Sequence, residues 1–271
     1  MTISVIIPAY NETKTISPCL QSLLNQTRKP DEIIVIDDGS TDKTIKQIKQ
    51  FSQVKLLKQA HQGPGTARNY GASQAKGKIL VFVDADMEFD QDFLAQLLKP
   101  ILTGKAKGTW SGQEFVKNWH NPWARCWNYN QNRRTSRMIG RSKGQRKVFR
   151  AILKSEFDKV KGFDIIGYTD DWTLVSKLGY QPKPTHAKFY HHNPDTLLEV
   201  FHQARWFGQR PYKLGHLGTL LTILKINAVL SVIIGLFKSI IFLTPQFLIF
   251  KLVYDLGIIF GAFQSLLGKR Y

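Results

Sequence analysis

The chain has 271 residues, 43% of them hydrophobic, and a formal net charge of +18. That length holds one α/β domain with extra elements, and that hydrophobic content excludes a disordered chain. The two cysteines, Cys19 and Cys126, are far apart and form no CxxC pair, which argues against a zinc site or a disulfide framework and fits a reducing compartment.

No basic n-region or apolar signal core precedes Ser4-Val5-Ile6-Ile7-Pro8, so the chain is expected to begin at this strand, in the cytoplasm. Runs rich in Val, Ile, Leu and Phe predict strands over residues 3–8, 32–36, 53–57 and 79–83. Helical patterns fall between and after them, near 17–26, 42–51, 64–76 and 91–103. Ser17-Pro18 reads as the cap and first position of the first helix, and Asp42 as a cap for the second. Strands alternating with helices imply right-handed crossovers and a mainly parallel sheet.

From about residue 106 the alternation ends. Strands are expected at 108–117 and 147–153, a helix at 170–179, a strand at 185–191 and a long helix at 195–208. The segment from Lys99 to Lys161 holds 16 Lys and Arg against three acids, so it carries +13 of the +18. Such a concentration reads either as an anionic partner or as a solvated basic face. Trp119, Trp123 and Trp127, spaced by four, share a face if helical, with Arg125, Arg133, Arg134, Arg137 and Arg141 around or after them. Tryptophan beside arginine suits an anionic membrane surface; packing on the rest of the protein is the equal alternative. A third reading makes Arg133–Lys147 a loop that grips an acceptor phosphate.

Residues 219–243 and 247–267 are mostly apolar, interrupted by Lys225, Lys238, Lys251 and Asp255, with Pro245 between them. The expectation is a hydrophobic helical hairpin associated with a membrane, either spanning it or lying in its interface, with packing on another subunit as the alternative. If it spans, the basic flanks 205–213 and Lys269-Arg270 both face the cytoplasm. The organisation expected is therefore 1–215 as one α/β unit, split into 1–104 and 105–215, followed by membrane-associated helices at 216–271.

Ligands of open parallel sheets bind beyond the carboxyl ends of the strands. Here those ends read Pro8-Ala9-Tyr10-Asn11-Glu12, Asp37-Asp38-Gly39-Ser40-Thr41-Asp42 and Asp84-Ala85-Asp86. A pocket so rich in carboxylates repels a diphosphate unless a hard cation, Mg²⁺ or Mn²⁺, lies between them. Asp84-x-Asp86 is placed to make that bridge. Asp38 can accept a hydrogen bond from a nucleobase and Tyr10 can stack on it, although Asp37-Asp38-Gly39-Ser40 alone reads equally as a turn. Arg68 either reaches the nucleotide or forms a salt bridge. No GxxxxGK[ST] loop occurs, and Gly63-Pro64-Gly65 is followed by Arg68 where a dinucleotide fingerprint needs glycine.

These segments, together with Gly65-Thr66-Ala67-Arg68-Asn69-Tyr70-Gly71, resemble the inverting glycosyltransferases of family 2, which have the GT-A fold, a mixed Rossmann-like sheet flanked by helices. Gly162-Phe163-Asp164 followed by Thr169-Asp170-Asp171-Trp172 resembles the acceptor-side segment of that family. The resemblance implies a nucleotide-sugar donor, UDP- or GDP-linked, bound by Pro8, Ala9, Tyr10, Glu12, Asp38, Arg68 and Asp84. It implies a divalent metal, Mg²⁺ or Mn²⁺, on Asp86 and on His191 or its neighbour His192, and Asp171 as general base. Asp170 and Trp172, with Arg205 and Trp206 in a degenerate QxxRW segment that has His202 in place of Gln, are candidates for acceptor or diphosphate contacts. Thr173 replaces an acid often found two positions after the base. The acceptor expected is a polyprenyl-phosphate-linked or cell-surface glycan, at the cytoplasmic face of an anionic membrane. A nucleotidyltransferase is the nearest enzymatic alternative, and it typically opens with a Gly-rich loop where this chain has Pro8–Glu12. A nucleic-acid-binding protein is the other, opposed by acids rather than bases at the strand ends.

Overall fold

The computed structural model describes residues 1–138, 148–166, 170–210, 212 and 214–268. In chain order these hold β1 (Ile3–Ala9), α1 (Ile16–Leu24), β2 (Glu32–Asp37), α2 (Thr44–Ile48), β3 (Val54–Lys58), α3 (Pro64–Gln74), β4 (Ile79–Phe82), β5 (Met87–Phe89), α4 (Phe93–Leu102) and β6 (Gly108–Val116). They continue with α5 (Pro122–Asn130), β7 (Ala151–Leu153), α6 (Lys154–Lys159), a 3₁₀ turn at Asp170–Trp172, α7 (Thr173–Leu178), β8 (Lys183–His191), α8 (Leu197–Gly208), α9 (Gly215–Lys225), α10 (Ala228–Ile241) and α11 (Phe247–Leu266).

Two compact units form. The first comprises Met1–Phe115 and Arg141–His191, the second Val116–Gly140 and His192–Tyr271. Among the described residues one sheet of eight strands runs in the order β3-β2-β1-β4-β7-β6-β8-β5. The first four are parallel neighbours. β7 then turns antiparallel to β4 and to β6, and β5 pairs antiparallel with β8. The parallel half forms because β1, β2 and β4 are continuous apolar runs, which suit strands buried on both faces. All seven residues of β1 are buried. One face of the sheet packs Val5, Ile7, Val35 and Val81 against Leu20 and Leu23 of α1 and Leu94 and Leu97 of α4. The other packs Ile6, Ile34, Ile36 and Leu80 against Ala67 and Ala72 of α3 and Leu174 of α7.

Several expected elements fall differently. α1 starts at Ile16 with Thr15 at the cap position, so Ser17-Pro18 lies inside its first turn. β5 and α6 were not foreseen; each is only three to six residues long, too short to show a period. The stretch at 147–153 shrinks to a three-residue β7. α5 begins at Pro122, where the Asn121 side chain accepts from Trp123 N at 2.8 Å and Ala124 N at 3.2 Å. Trp119 therefore precedes the helix and shares no helical face with Trp123 and Trp127. The apolar stretch 219–243 is not one helix: α9 and α10 meet at a 62° bend. Asn227 causes the break, its side chain capping α10 through Leu230 N at 2.8 Å.

In the second unit, Trp127, Val200, Phe247 and Phe250 form the core. α8 and α11 approach backbone to backbone; a Cβ on Gly261 would lie 1.9 Å from the Arg205 carbonyl oxygen. Three charges inside the apolar helices, Lys238, Lys251 and Asp255, have polar partners. Lys251 Nζ lies 2.6 Å from both Asp255 oxygens, and Ser231 Oγ donates to Asp255 at 2.6 Å. Lys238 Nζ donates to the carbonyls of Tyr129 and Asn130 at 2.9 and 3.0 Å. Among the described residues α11, 20 residues long, is the one single helix apolar and long enough to cross a membrane.

Candidate active site

The register of the parallel strands sets the site. Pro8 pairs with Ile36 and Ala9 with Asp37, so the exits at Tyr10 and Asp38 lie side by side. Pro8 and Ala9 are buried backbone of that rim, and the Ala9 carbonyl accepts from Asp38 N at 2.9 Å.

Asp38 is 2% exposed. Its carboxylate accepts from Gln62 N and Gly63 N, each at 2.9 Å, and from Gln59 Nε2 at 2.7 Å. It thus holds the turn that enters α3. His61 sits 2.9 Å from it and stacks on Tyr10, ring centroids 4.0 Å apart. Tyr10 and His61 together make an aromatic platform at the mouth of the first strand exit. His61 carries no motif that marks it in sequence. Asp42 is not the cap of α2, a position that Lys43 holds, but stands one residue before it and accepts from Thr44 N at 2.9 Å.

The two acids of the Asp-x-Asp segment have different surroundings. Asp84 accepts from Arg68 Nη2 at 2.6 Å and lies 3.3 Å from Arg150 Nη1. Burial alone would raise its carboxyl, but Arg68 and Arg150 outweigh it and hold Asp84 far below the ordinary carboxylate range. Asp86 faces His191 instead, Oδ2 to Nε2 at 3.0 Å. β8 delivers His191 there by pairing it with Met87 of β5. Burial opposes a charged imidazole, yet Asp86 wins and raises the His191 pKa to about 9. Glu12 lies near both; burial first, then the Asp86 charge, push its carboxyl up, while Thr15 Oγ1 donates to it at 2.5 Å.

Two atoms test whether this pair suits a divalent cation. Asp86 Oδ1 and His191 Nδ1 are buried without a hydrogen-bond partner among the described residues. An oxygen and an imidazole nitrogen suit Mg²⁺ or Mn²⁺ with the rest of the shell filled by phosphate oxygens and water. No group of three or more His, Cys, Asp or Glu side chains is gathered for a metal among the described residues. By their chemistry Asp86 and His191 fit a divalent cation here.

The acceptor-side segment is tied to α3. Asn69 Nδ2 donates to the Phe163 carbonyl and its Oδ1 accepts from Phe163 N, both at 2.9 Å. Thr173 is buried, donates to the Asp170 carbonyl at 2.6 Å and accepts from Asp164 N at 3.1 Å. Asp170 is itself 2% exposed, and its Oδ1 accepts from Ile166 N at 2.6 Å. Asp170 and Thr173 thus hold the turn that presents Asp171. Asp171 makes no hydrogen bond among the described residues. Burial raises its carboxyl, and Asp84 and Asp170 add to this against Arg68 and Arg150. Trp172 follows in the same turn, half-buried.

Arg205 and Trp206 stand on α8 in the second unit. Arg205 Nε donates to Gln264 Oε1 at 2.8 Å and its guanidinium lies over Phe260, while Trp206 packs on Phe207. Thr169, Arg141, most of Arg133–Lys147 and the flanking Lys213, Lys269 and Arg270 lie outside the described residues.

A half-parallel sheet extended by antiparallel strands, with acids grouped at the exits of β1, β2 and β4, is the GT-A arrangement. The sequence model described as Glycosyl transferase family 2 matches residues 4–159, and the chain belongs to that family. The uncharacterized glycosyltransferase YibD of Escherichia coli K12 is 36% identical over 128 residues, 44% of this chain and 37% of that protein. Glycosyltransferase GlyA of Streptococcus pneumoniae serotype 4 is 37% identical over 108 residues, 38% of this chain and 16% of its own. The match therefore spans well under half the length of either relative. Staphylococcus aureus TarS 1–349, solved with UDP-GlcNAc, superposes with a TM-score of 0.56 at 15% identity, covering 100% of this chain and 93% of that one. Glucosyl-3-phosphoglycerate synthase of Mycobacterium tuberculosis, solved with Mn²⁺, UDP and glucosyl-3-phosphoglycerate, gives 0.52 at 22% identity over 76% and 77%. Both likenesses show the fold.

Proposed function

We propose that the chain transfers a sugar from a UDP- or GDP-linked donor to a lipid-linked or cell-surface glycan acceptor, with inversion and with the help of a divalent metal. The observation that carries this reading is one cluster in the first unit. Asp86 faces His191 at 3.0 Å with a free buried oxygen, Asp84 is gripped by Arg68, and Asp171 makes no hydrogen bond among the described residues. UDP is favoured over GDP because UDP or a UDP-sugar occupies both structural neighbours named above.

The Tyr10–His61 platform and the rim at Pro8, Ala9 and Asp38 receive the nucleoside. Asp86 and His191 would hold the metal, which when bound offsets charge on the departing nucleoside diphosphate. Asp171 takes the proton of the acceptor hydroxyl as that oxygen bonds to the anomeric carbon and the bond to the diphosphate breaks. A positioned general base contributes roughly 10²–10⁴ in rate. Most of the exposed large apolar side chains lie between Leu214 and Leu267, on α9, α10 and α11. Among the described residues Lys238, Lys251 and Asp255 there have internal polar partners and Lys225 has none, so these faces suit lipid. The free, buried Cys19 and Cys126 suit a reducing, cytoplasmic side.

A melting panel of nucleoside diphosphates and nucleotide sugars, with and without Mn²⁺, tests the donor. The expected outcome is a Mn²⁺-dependent rise with one uridine or guanosine ligand; no rise with any of them refutes the reading. Asp171→Asn is expected to abolish transfer and keep donor binding. Flotation with vesicles containing anionic lipid tests the membrane surface, and a chain that stays with the soluble fraction rejects it.

A further inference from the structure

The last three helices of the second unit turn their large apolar side chains outward. α9 buries Thr219, and α10 buries Ser231 and Gly235. Leu217 and Leu224 of α9, and Val229, Ile233, Leu236 and Ile240 of α10, are exposed. On α11 the exposed residues Ile249, Leu252, Leu256, Phe260 and Phe263 recur every three or four positions, so they form one stripe along the whole helix. A continuous apolar surface of this kind calls for a partner.

The charge of the unit says which. Val116–Gly140 and His192–Tyr271 hold 13 Lys and Arg against the three acids Asp195, Glu199 and Asp255, so they carry +10 of the chain's +18. Exposed basic residues stand beside the apolar ones. Lys225 lies between α9 and α10. The exposed Arg134 places its guanidinium 5.8 Å from the centre of the Phe242 ring, next to Leu243, which is 88% exposed at the turn into α11. Apolar side chains flanked by cations match the acyl region and headgroups of an anionic leaflet.

The packing of α11 decides how it meets that leaflet. Its 20 residues span about 30 Å, enough to cross a bilayer, and a crossing would set Gly257 near the midplane. At that level α8 lies against it: a Cβ on Gly257 would be 2.8 Å from the Ala204 Cβ and 2.7 Å from the Phe201 carbonyl oxygen. The 12 residues of α8 are too few to cross alongside, and they include Glu199 and Arg205, the latter bonded to Gln264 of α11. A spanning α11 would drag these charges into hydrocarbon.

We propose that α9, α10 and α11 lie in the plane of an anionic membrane with their outward side chains inserted into one leaflet, and that α11 does not cross it. This rests on the proposed membrane attachment and specifies its mode.

The test places a fluorophore at Ile249→Cys, Leu256→Cys or Phe263→Cys of the full chain. Cys19 and Cys126 are fully buried, so the wild-type chain is the labelling control. Depth is read by quenching in phosphatidylglycerol–phosphatidylcholine vesicles whose lipids carry bromine at known levels. The three labels are expected at one shallow depth. A Leu256 label deeper than both others by about 10 Å, the rise of seven helical residues, refutes the in-plane arrangement and leaves attachment standing. Equal affinity for pure phosphatidylcholine overturns the anionic surface. Ile233→Asp, at an exposed position, is expected to keep the wild-type Tm and weaken vesicle binding by about tenfold or more, the loss that goes with one buried large apolar side chain. Unchanged affinity removes α10 from the leaflet. A chain that floats with no vesicle sinks attachment itself, and a dimer in sedimentation with the labels already shielded would assign these faces to a second copy instead.

Discussion

Gly65 is the residue through which α3 bears on the catalytic turn. It is the second residue of α3, after Pro64, where alanine is ordinarily the better helix former. Gly→Ala at a compatible position stabilises by about 0.4–1 kcal/mol through the unfolded chain. Here the added Cβ would lie 2.1 Å from Asp170 Oδ2 and 2.6 Å from its Cγ. Asp170 cannot easily yield, because it is buried and its Oδ1 is bonded to Ile166 N. Overpacking of this kind costs about 1–3 kcal/mol. The clash outweighs the propensity gain, leaving Gly65→Ala less stable by about 1–2 kcal/mol, which lowers Tm by roughly 2–8 °C. Because Asp170 directly precedes Asp171, kcat should fall as well. Calorimetric melting and a transfer assay on the same preparation measure both. A Gly65→Ala variant that melts at or above the wild-type temperature with full turnover would refute the packing argument.

Asp86→Ala is expected to remove the Mn²⁺ dependence of nucleotide binding, measured by titration with and without the ion; retained dependence moves the metal elsewhere. Lys251→Met leaves the 5%-exposed Asp255 with Ser231 as its remaining partner among the described residues, and breaking a buried pair from one side costs about 3–5 kcal/mol. Denaturation in mild detergent should show that loss, and an unchanged midpoint would mean the pair is open to water. Asp84 has a depressed folded pKa, so its contribution to stability is present above the unfolded carboxylate pKa and is lost as pH falls through the folded value. Arg68→Met narrows that depression, so its acid-unfolding midpoint should move to higher pH than the wild type's.

The parallel half of the fold was legible because its strands are long apolar runs with acids at their ends. β1 and β2 end where the hydrophobic pattern ends, to within a residue. In the antiparallel half β6 and β8 fall within two residues of the strands expected at 108–117 and 185–191, and β7 lies inside the stretch expected at 147–153, whereas β5 was not legible, because its three residues form a strand only through pairing with β8. Asn121 and Asn227 cap α5 and α10 as their chemistry allows, and neither of these starts is among those expected from the sequence. Arg150 had no signal in the sequence. One arginine among the 16 basic residues of its segment is indistinguishable until the sheet sets it beside Asp84. Thr173 gave no sign of its structural part either. Standing where the family often has an acid, it is a buried clamp between Asp164 and Asp170.

The separation of Asp84 from Asp86 follows from which strand answers each of them. Asp84 leaves β4 toward α3 and the start of β7, and both present arginine. Its negative charge is neutralised before any ligand arrives, so it makes a poor ligand for a cation and a good brace for Arg68. Asp86, two residues on, lies where β8 ends in His191, a weaker cation that can give up its proton. The same carboxylate keeps one buried oxygen without a partner. A divalent ion competing for the two sites would have to displace two permanent charges at Asp84 and one removable proton at Asp86. The asymmetry in the surrounding strands, rather than the Asp-x-Asp spacing itself, is what supports Asp86 as the metal-facing acid.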